Sequence, residues 1–120
     1  RKYSKRSSNY LSMIKNDRVY LEHIIEAICK IENFTHKISR FDFDENVMIQ
    51  DAVIRNIEII GEATKKISKP FRQSHQEIPW SEMAGMRDKL IHDYLDVEIE
   101  VVWKTIEVDI PLLKEMISKL

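Results

Sequence analysis

Two glycines and three prolines in 120 residues leave this chain few places to turn sharply. Tight hairpins draw on those residues for the backbone angles they need, so the sequence favours long helices over many short strands. The apolar residues agree. Leu21, Ile24, Ile25, Ile28, Ile31 and Phe34 recur at helical spacing, as do Val53, Ile57, Ile60 and Ile67, with Ile54 and Ile59 widening that stripe. Val101 or Val102, Ile106, Ile110, Leu113 and Ile117 form a third set. The pattern predicts a helix over residues 17–38 capped by Asp17 and a second, capped by Asp42 or Asp44, to about Ile67. It predicts a third over 83–95 and a last one over 97–118 capped by Asp96. Ser39–Asp44 reads as a connection, Lys69-Pro70 as a helix stop, and Phe71–Gln76 as one or two turns. Trp80 anchors the next helix entry behind Pro79. The expected fold class is all-α, an antiparallel helical bundle with no sheet. Gly61, in mid-helix where glycine costs about 1 kcal/mol against alanine, implies close approach of another helix, and Gly85 suggests the same. Pro111 withholds a backbone donor and predicts a kink.

Composition narrows the function classes. At 43% hydrophobic and 32% charged residues, the chain suits one domain with a modest core. No apolar run approaches the ~18 residues of a membrane span, and no signal peptide is visible. Cys29 is the single cysteine, and four histidines beside it show no metal-ligand spacing. No metal and no cofactor are expected, and the compartment reads as reducing and cytoplasmic. The net charge of −1 is unevenly spread. Residues 1–15 hold Arg1, Lys2, Lys5, Arg6 and Lys15 and no acid, which leaves 14 cationic against 20 anionic residues elsewhere. The division expected is a basic N-terminal arm over 1–15, loose or docked as a short extra helix, and a helical domain over 16–120. The body lacks the basic surface of a tight nucleic-acid binder, so any RNA contact is local or helped by the arm.

One stretch concentrates chemistry: Arg87-Asp88-Lys89-Leu90-Ile91-His92-Asp93-Tyr94, an R-x4-H-x-Y spacing. Arginine is a permanent cation whose planar fork fits phosphate, and histidine exchanges protons near neutral pH. On one straight helix Arg87 falls on the apolar stripe with Met83, Leu90, Ile91 and Tyr94. His92 then lies about 140° away, one turn from Asp88. Such a helix does not aim Arg87 and His92 at one phosphate. Either it ends or distorts near His92, or two chains contribute. The bland reading is a helix end carrying a basic residue and a satisfied histidine. Arg55, Glu58 and Glu62 share the polar face of the second helix. They form either an intrahelical ladder or a source of carboxylate, Glu58 or Glu62, for Arg87.

Three blocks in order tip the balance. Asp51-Ala52-Val53-Ile54-Arg55-Asn56-Ile57-Glu58-Ile59-Ile60-Gly61-Glu62-Ala63, Ile78-Pro79-Trp80 and Met86 to Tyr94 resemble the HepT-like branch of the HEPN superfamily over about residues 17–118. The resemblance implies a two-fold dimer in which two R-x4-H motifs meet at one cleft. It also implies a toxin ribonuclease that cuts RNA, partnered by an MNT-type nucleotidyltransferase antitoxin able to attach AMP to Tyr94. Assembly of the homodimer into a larger hetero-oligomer with that partner is compatible with it. Under that reading Arg87 and His92 are the catalytic pair, His92 as general base or acid and Arg87 as charge stabiliser. Asp88 orients His92, and Glu58 and Glu62 support the site. The alternative is a helical dimer that binds nucleotide or partner through the same cleft without catalysis.

Overall fold

The computed structural model describes the backbone of residues 2–93 and 96–120, and side chains within 11–91 and 96–120. Two long helices dominate. α1 spans Lys2–Thr35 and α3 spans Val47–Lys66; they pack antiparallel, so that Asp17 of α1 meets Ser68 just past the end of α3. Ile24, Ala27, Ile28 and Ile31 on one side and Val53, Ile57 and Ile60 on the other are buried to within 2% of complete. Ile24, Ile28, Ile31, Val53, Ile57 and Ile60 lie where the 3.6-residue period puts them, whereas Ile25 and Phe34 of the same set sit on the edge of the stripe and are 40% exposed.

The segments between and after them differ in detail from expectation. The backbone of residues 2–15 is helical and continuous with α1, so Asp17 caps no helix start. It is 3% exposed, and its carboxylate accepts from the Ser68 N–H at 2.7 Å and the Ser68 hydroxyl at 2.6 Å. Ser68 in turn caps α4, Lys69–Ser74, by accepting from the Phe71 N–H. Pro70 therefore sits in the first turn of a new helix, where its missing donor costs nothing. The connection after α1 contains a short α2, Arg40–Glu45, capped by Ser39, and α3 is capped by Asn46. Neither cap is an aspartate, because Asp42 and Asp44 fall inside α2. His23 and His36 are exposed.

The predicted helix over 83–95 is broken into three pieces: α5, Trp80–Ala84; α6, Met86–Leu90; and a strand β1, Ile91–Asp93. β1 pairs antiparallel with β2, Asp96–Val97, through Ile91 opposite Val97. The expectation of no sheet at all is corrected by this small hairpin, although the class remains all-α. Asp96 belongs to β2 and caps nothing; the last helical stretch starts after Glu98.

That stretch is α7, Ile99–Lys104, a π-helical turn over Thr105–Asp109, and α8, Ile110–Ser118. The π turn is how the chain absorbs Pro111. The widened turn lets the Ile110 N–H reach the Thr105 carbonyl, and the distortion sits in the turn before the proline. Val102, Ile110, Leu113 and Ile117 bury the inner side. Among the described residues no helix is long and apolar enough to cross a membrane.

Gly61 sets the spacing between α3 and α5. A methyl group there would lie 3.1 Å from the Ala84 carbonyl oxygen and 3.5 Å from that of Met83. These are backbone atoms, which do not swing aside. Gly85 is different: a Cβ would meet the Ser81 oxygen at 3.6 Å, an ordinary contact, so close packing does not explain it. Alanine at position 61 gains helix propensity but pushes α5 outward, and overpacking of this kind costs about 1–3 kcal/mol. Gly61→Ala is expected to lower the urea midpoint despite the propensity gain, and Gly85→Ala to leave it nearly unchanged.

Candidate active site

The site grows from the break between α5 and α6. Trp80 fixes the entry. It is 8% exposed, packs edge-on against Phe71 at 6.0 Å and donates its indole N–H to the His75 carbonyl at 2.9 Å. Met83, Met86 and Leu90 then turn inward and are buried. Arg87 lies on the margin of that stripe facing α3. It is not buried with the core, as a straight helix would require, but 46% exposed.

Its partner comes from α3. The Arg87 Nε lies 3.1 Å from Glu58 Oε2, so this carboxylate reaches across to another element. A guanidinium carries five N–H donors. With Nε engaged and the group half in solvent, the fork has donors left for an anion. The two residues line a cavity of about 290 Å³ with Gly61, Glu62, Lys65, Ala84 and Asp88. Glu58, Gly61, Glu62 and Lys65 are one face of α3, at steps of three and four. Gly61 contributes by having no side chain, which lets α5 come close enough for Arg87 to span the gap. Among the described residues the titratable lining is three carboxylates against two cations.

Arg87, Asp88, Glu58 and Glu62 are thus brought together. His92 lies in β1, two residues after α6 ends at Leu90, so the helix does end before it. The His92 side chain, its link to Asp88, and Tyr94 lie outside the described residues. Lys65 and Ala84 were missed by sequence reasoning. Lys65 was within reach, since it stands seven residues after Glu58 on the same helical face; Ala84 required knowing that α5 crosses α3 at Gly61. A second, larger groove of about 440 Å³ lies between the α5–α6 segment and α7–α8, lined largely by Met83, Met86, Val101, Leu112, Leu113 and Met116. Among the described residues its lining holds no histidine or arginine. Among the described residues no three His, Cys, Asp or Glu side chains are grouped to hold a metal ion.

Comparison with known proteins bears on what this arrangement serves. The family model described as "Ribonuclease HepT-like" matches residues 24–120, which include all of the cavity residues. The chain belongs to the HepT-like ribonuclease family. Relatives in this family include "Probable ribonuclease HepT" of Thermococcus cleftensis, 53% identical over 108 residues that cover 90% of this chain and 98% of that one. Another is "Putative RNase TTE0752" of Caldanaerobacter subterraneus subsp. tengcongensis, 41% identical over 107 residues, 89% and 96% of the two chains. No solved structure matches the chain.

The HepT-like cavity makes one physical demand that is separable from activity. The Arg87–Glu58 pair is partly solvated, and pairs of this kind contribute about 1 kcal/mol or less to stability. Glu58→Gln is therefore expected to shift the thermal midpoint little. If the pair's role is orientation, the same change weakens anion binding at Arg87, read as a loss of inorganic phosphate or mononucleotide affinity by titration calorimetry.

Proposed function

We propose that this HepT-like chain is the toxin of a type II toxin–antitoxin pair, a metal-independent endoribonuclease that works as a homodimer. The observation that carries the reading is the Arg87 fork, held by Glu58 on an open cavity that Asp88 also lines, with His92 two residues beyond the same short helix. His92 takes the proton from an RNA 2′-hydroxyl, whose oxygen attacks the adjacent phosphorus. Arg87 stabilises the charge that builds on the phosphorane oxygens. The 5′-oxygen leaves with a proton from the second acid–base group, which two copies of the chain supply as a second His92. The products are a 2′,3′-cyclic phosphate and a 5′-hydroxyl, and no hydride, electron or metal is needed. Asp88 orients His92 and holds its tautomer; Glu58, with Glu62 beside it, positions Arg87.

Under the same proposal the partner is an MNT-type nucleotidyltransferase antitoxin. It transfers AMP from ATP to the Tyr94 phenol with release of pyrophosphate. The adduct places a phosphodiester charge and a purine at the cleft mouth, where both exclude an RNA phosphate. The exposed free thiol of Cys29 fits a reducing, cytoplasmic setting.

The experiment is cleavage of single-stranded RNA with end-group analysis. Wild type is expected to cut in the presence of EDTA and leave cyclic phosphate ends. His92→Ala and Arg87→Ala are expected to lose roughly a hundredfold or more of the rate, the scale of losing an acid–base or charge-stabilising group. Loss of wild-type cleavage in EDTA with recovery in magnesium overturns the metal-free route. Binding of nucleotide without any cleavage favours the non-catalytic alternative.

Tyr94 separates gating from chemistry. Tyr94→Phe removes only the hydroxyl, so it is expected to keep most of the ribonuclease activity and to escape silencing. Intact-mass analysis after incubation with the transferase and ATP checks this. AMP added to wild type but not to Tyr94→Phe supports the gate, and equal addition to both refutes it.

A further inference from the structure

The positive charge of this chain gathers in two segments of the sequence. Residues 1–18 and 65–72 carry Arg1, Lys2, Lys5, Arg6, Lys15, Arg18, Lys65, Lys66, Lys69 and Arg72, ten of the 19 cationic residues, and a single acid, Asp17. That acid is buried and bonded to Ser68. All other residues together hold nine cations against 19 acids. The fold joins the two segments: Asp17 to Ser68 at 2.7 Å, and Lys66 Nζ over the Tyr20 ring at 5.8 Å. Lys65, next to Lys66, is already a wall of the Arg87 cavity. From the Arg87 cavity the chain thus leads through Lys65 and Lys66 to the start of α4, and Lys66 and Ser68 tie that end of α3 to α1.

Beyond Asp17, α1 continues for 15 residues to Lys2, about 22 Å at 1.5 Å per residue. Leu11 is 64% exposed there, and Ser12, Lys15 and Asn16 are exposed as well. The helix thus projects past the end of α3. Its charge has the wrong sign for its own stability. A helix N-terminus favours acids, yet the first turn of α1 holds none and the first five residues include Lys2, Lys5 and Arg6. The basic pair Lys65 and Lys66 does suit the last turn of α3, but that reasoning does not extend to α4 or α1.

We infer that this basic end is an RNA track, on which single-stranded RNA engaged at the Arg87 cavity continues along the end of α3 and the projecting part of α1. The inference rests on the ribonuclease reading for the nature of the anion. A flexible polyanion is favoured over an acidic protein because the helix backbone that carries the α1 segment is a single extended rod projecting past α3 and not the wall of a concave patch. The track adds affinity and length preference without touching the bond that is cut.

The test is the salt dependence of binding to a single-stranded RNA of roughly 20 nucleotides, measured by fluorescence anisotropy in a His92→Ala background so that the RNA survives. Lys2, Lys5, Arg6 and Lys15 are replaced together by glutamine, which keeps helix propensity; circular dichroism confirms the helix. The slope of log K against log salt is expected to fall by roughly 3 in magnitude, about 0.7 per lost contact, with a roughly tenfold or greater loss of affinity near 0.1 M salt. Lys66→Gln with Lys69→Gln is expected to reduce the slope by roughly half as much. The control, Lys114→Gln with Lys119→Gln on the last helix, is expected to leave the slope unchanged. With His92 intact, the glutamine variant is expected to cleave a dinucleotide at the wild-type rate. An unchanged slope in the glutamine variant, or an equal fall in the control, overturns the track, and so does an unchanged slope accompanied by loss of an acidic protein partner. Failure of wild type to cut any RNA overturns the ribonuclease reading instead, and the slope still decides whether the track exists.

Discussion

The contact between Gly61 and the Ala84 carbonyl governs the geometry of the cavity. At 3.1 Å from an ideal Cβ position, the α5 backbone is closer to α3 than a residue with a side chain would readily permit. This closeness has three consequences along the chain. Met83 and Met86 reach the core from so short a segment; Arg87 arrives beside α3 rather than over solvent; and Glu58, one helical turn before Gly61, comes within 3.1 Å of its guanidinium. Without that approach the arginine would need a longer reach, and its orientation would be lost to side-chain entropy.

Asp17 does similar work at the other end. A carboxylate buried to 3% exposure is costly unless its oxygens are satisfied. Here both bond to Ser68, one to the backbone N–H and one to the hydroxyl. Ser68 is also the cap of α4, so one buried acid ties α1 to the junction of α3 and α4. From that junction the chain leads directly to Trp80 and the entry of α5. The position of the cavity is thus held from two sides, by backbone contact at Gly61 and by charge-assisted hydrogen bonds at Asp17.

The helices whose apolar period is long were legible in the sequence, because burial of a stripe is what the period records. Ile24, Ile28, Val53, Ile57, Ile60, Val102 and Ile110 are buried as the spacing requires. The caps were not. Asp17, Asp42, Asp44 and Asp96 are all competent cap residues by type, yet Ser39, Asn46 and Ser68 act instead. Residue type shows that a side chain can cap a helix, not where a helix begins: α1 runs on through Asp17 to Lys2, well past its packing against α3. The stretch from 83 to 95 was harder still. Its apolar residues fit one helix, but the chain turns into a strand at Ile91, where pairing with Val97 competes with one more helical turn. The close approach announced by Gly61 was readable, since a mid-helix glycine needs a reason, while the element making that approach was not.

The charge around Arg87 ties these features together. Among the described residues Glu58, Glu62 and Asp88 outnumber Arg87 and Lys65 around the cavity, so these walls do not attract a polyanion by net charge. Two copies brought together would double both signs, six carboxylates against four cations, so the excess of acid would remain. Acids so close to the arginine orient it and keep it from collapsing onto other carboxylates, at the expense of long-range attraction. Attraction must then come from farther away, where fields of like-signed groups add. The ten cations of residues 1–18 and 65–72 are the only such concentration in the sequence, and Lys65 connects them to the cavity. Under the proposed function and the inferred track, labour is divided: capture by the basic end, and alignment of one phosphate by a fork that Glu58 holds.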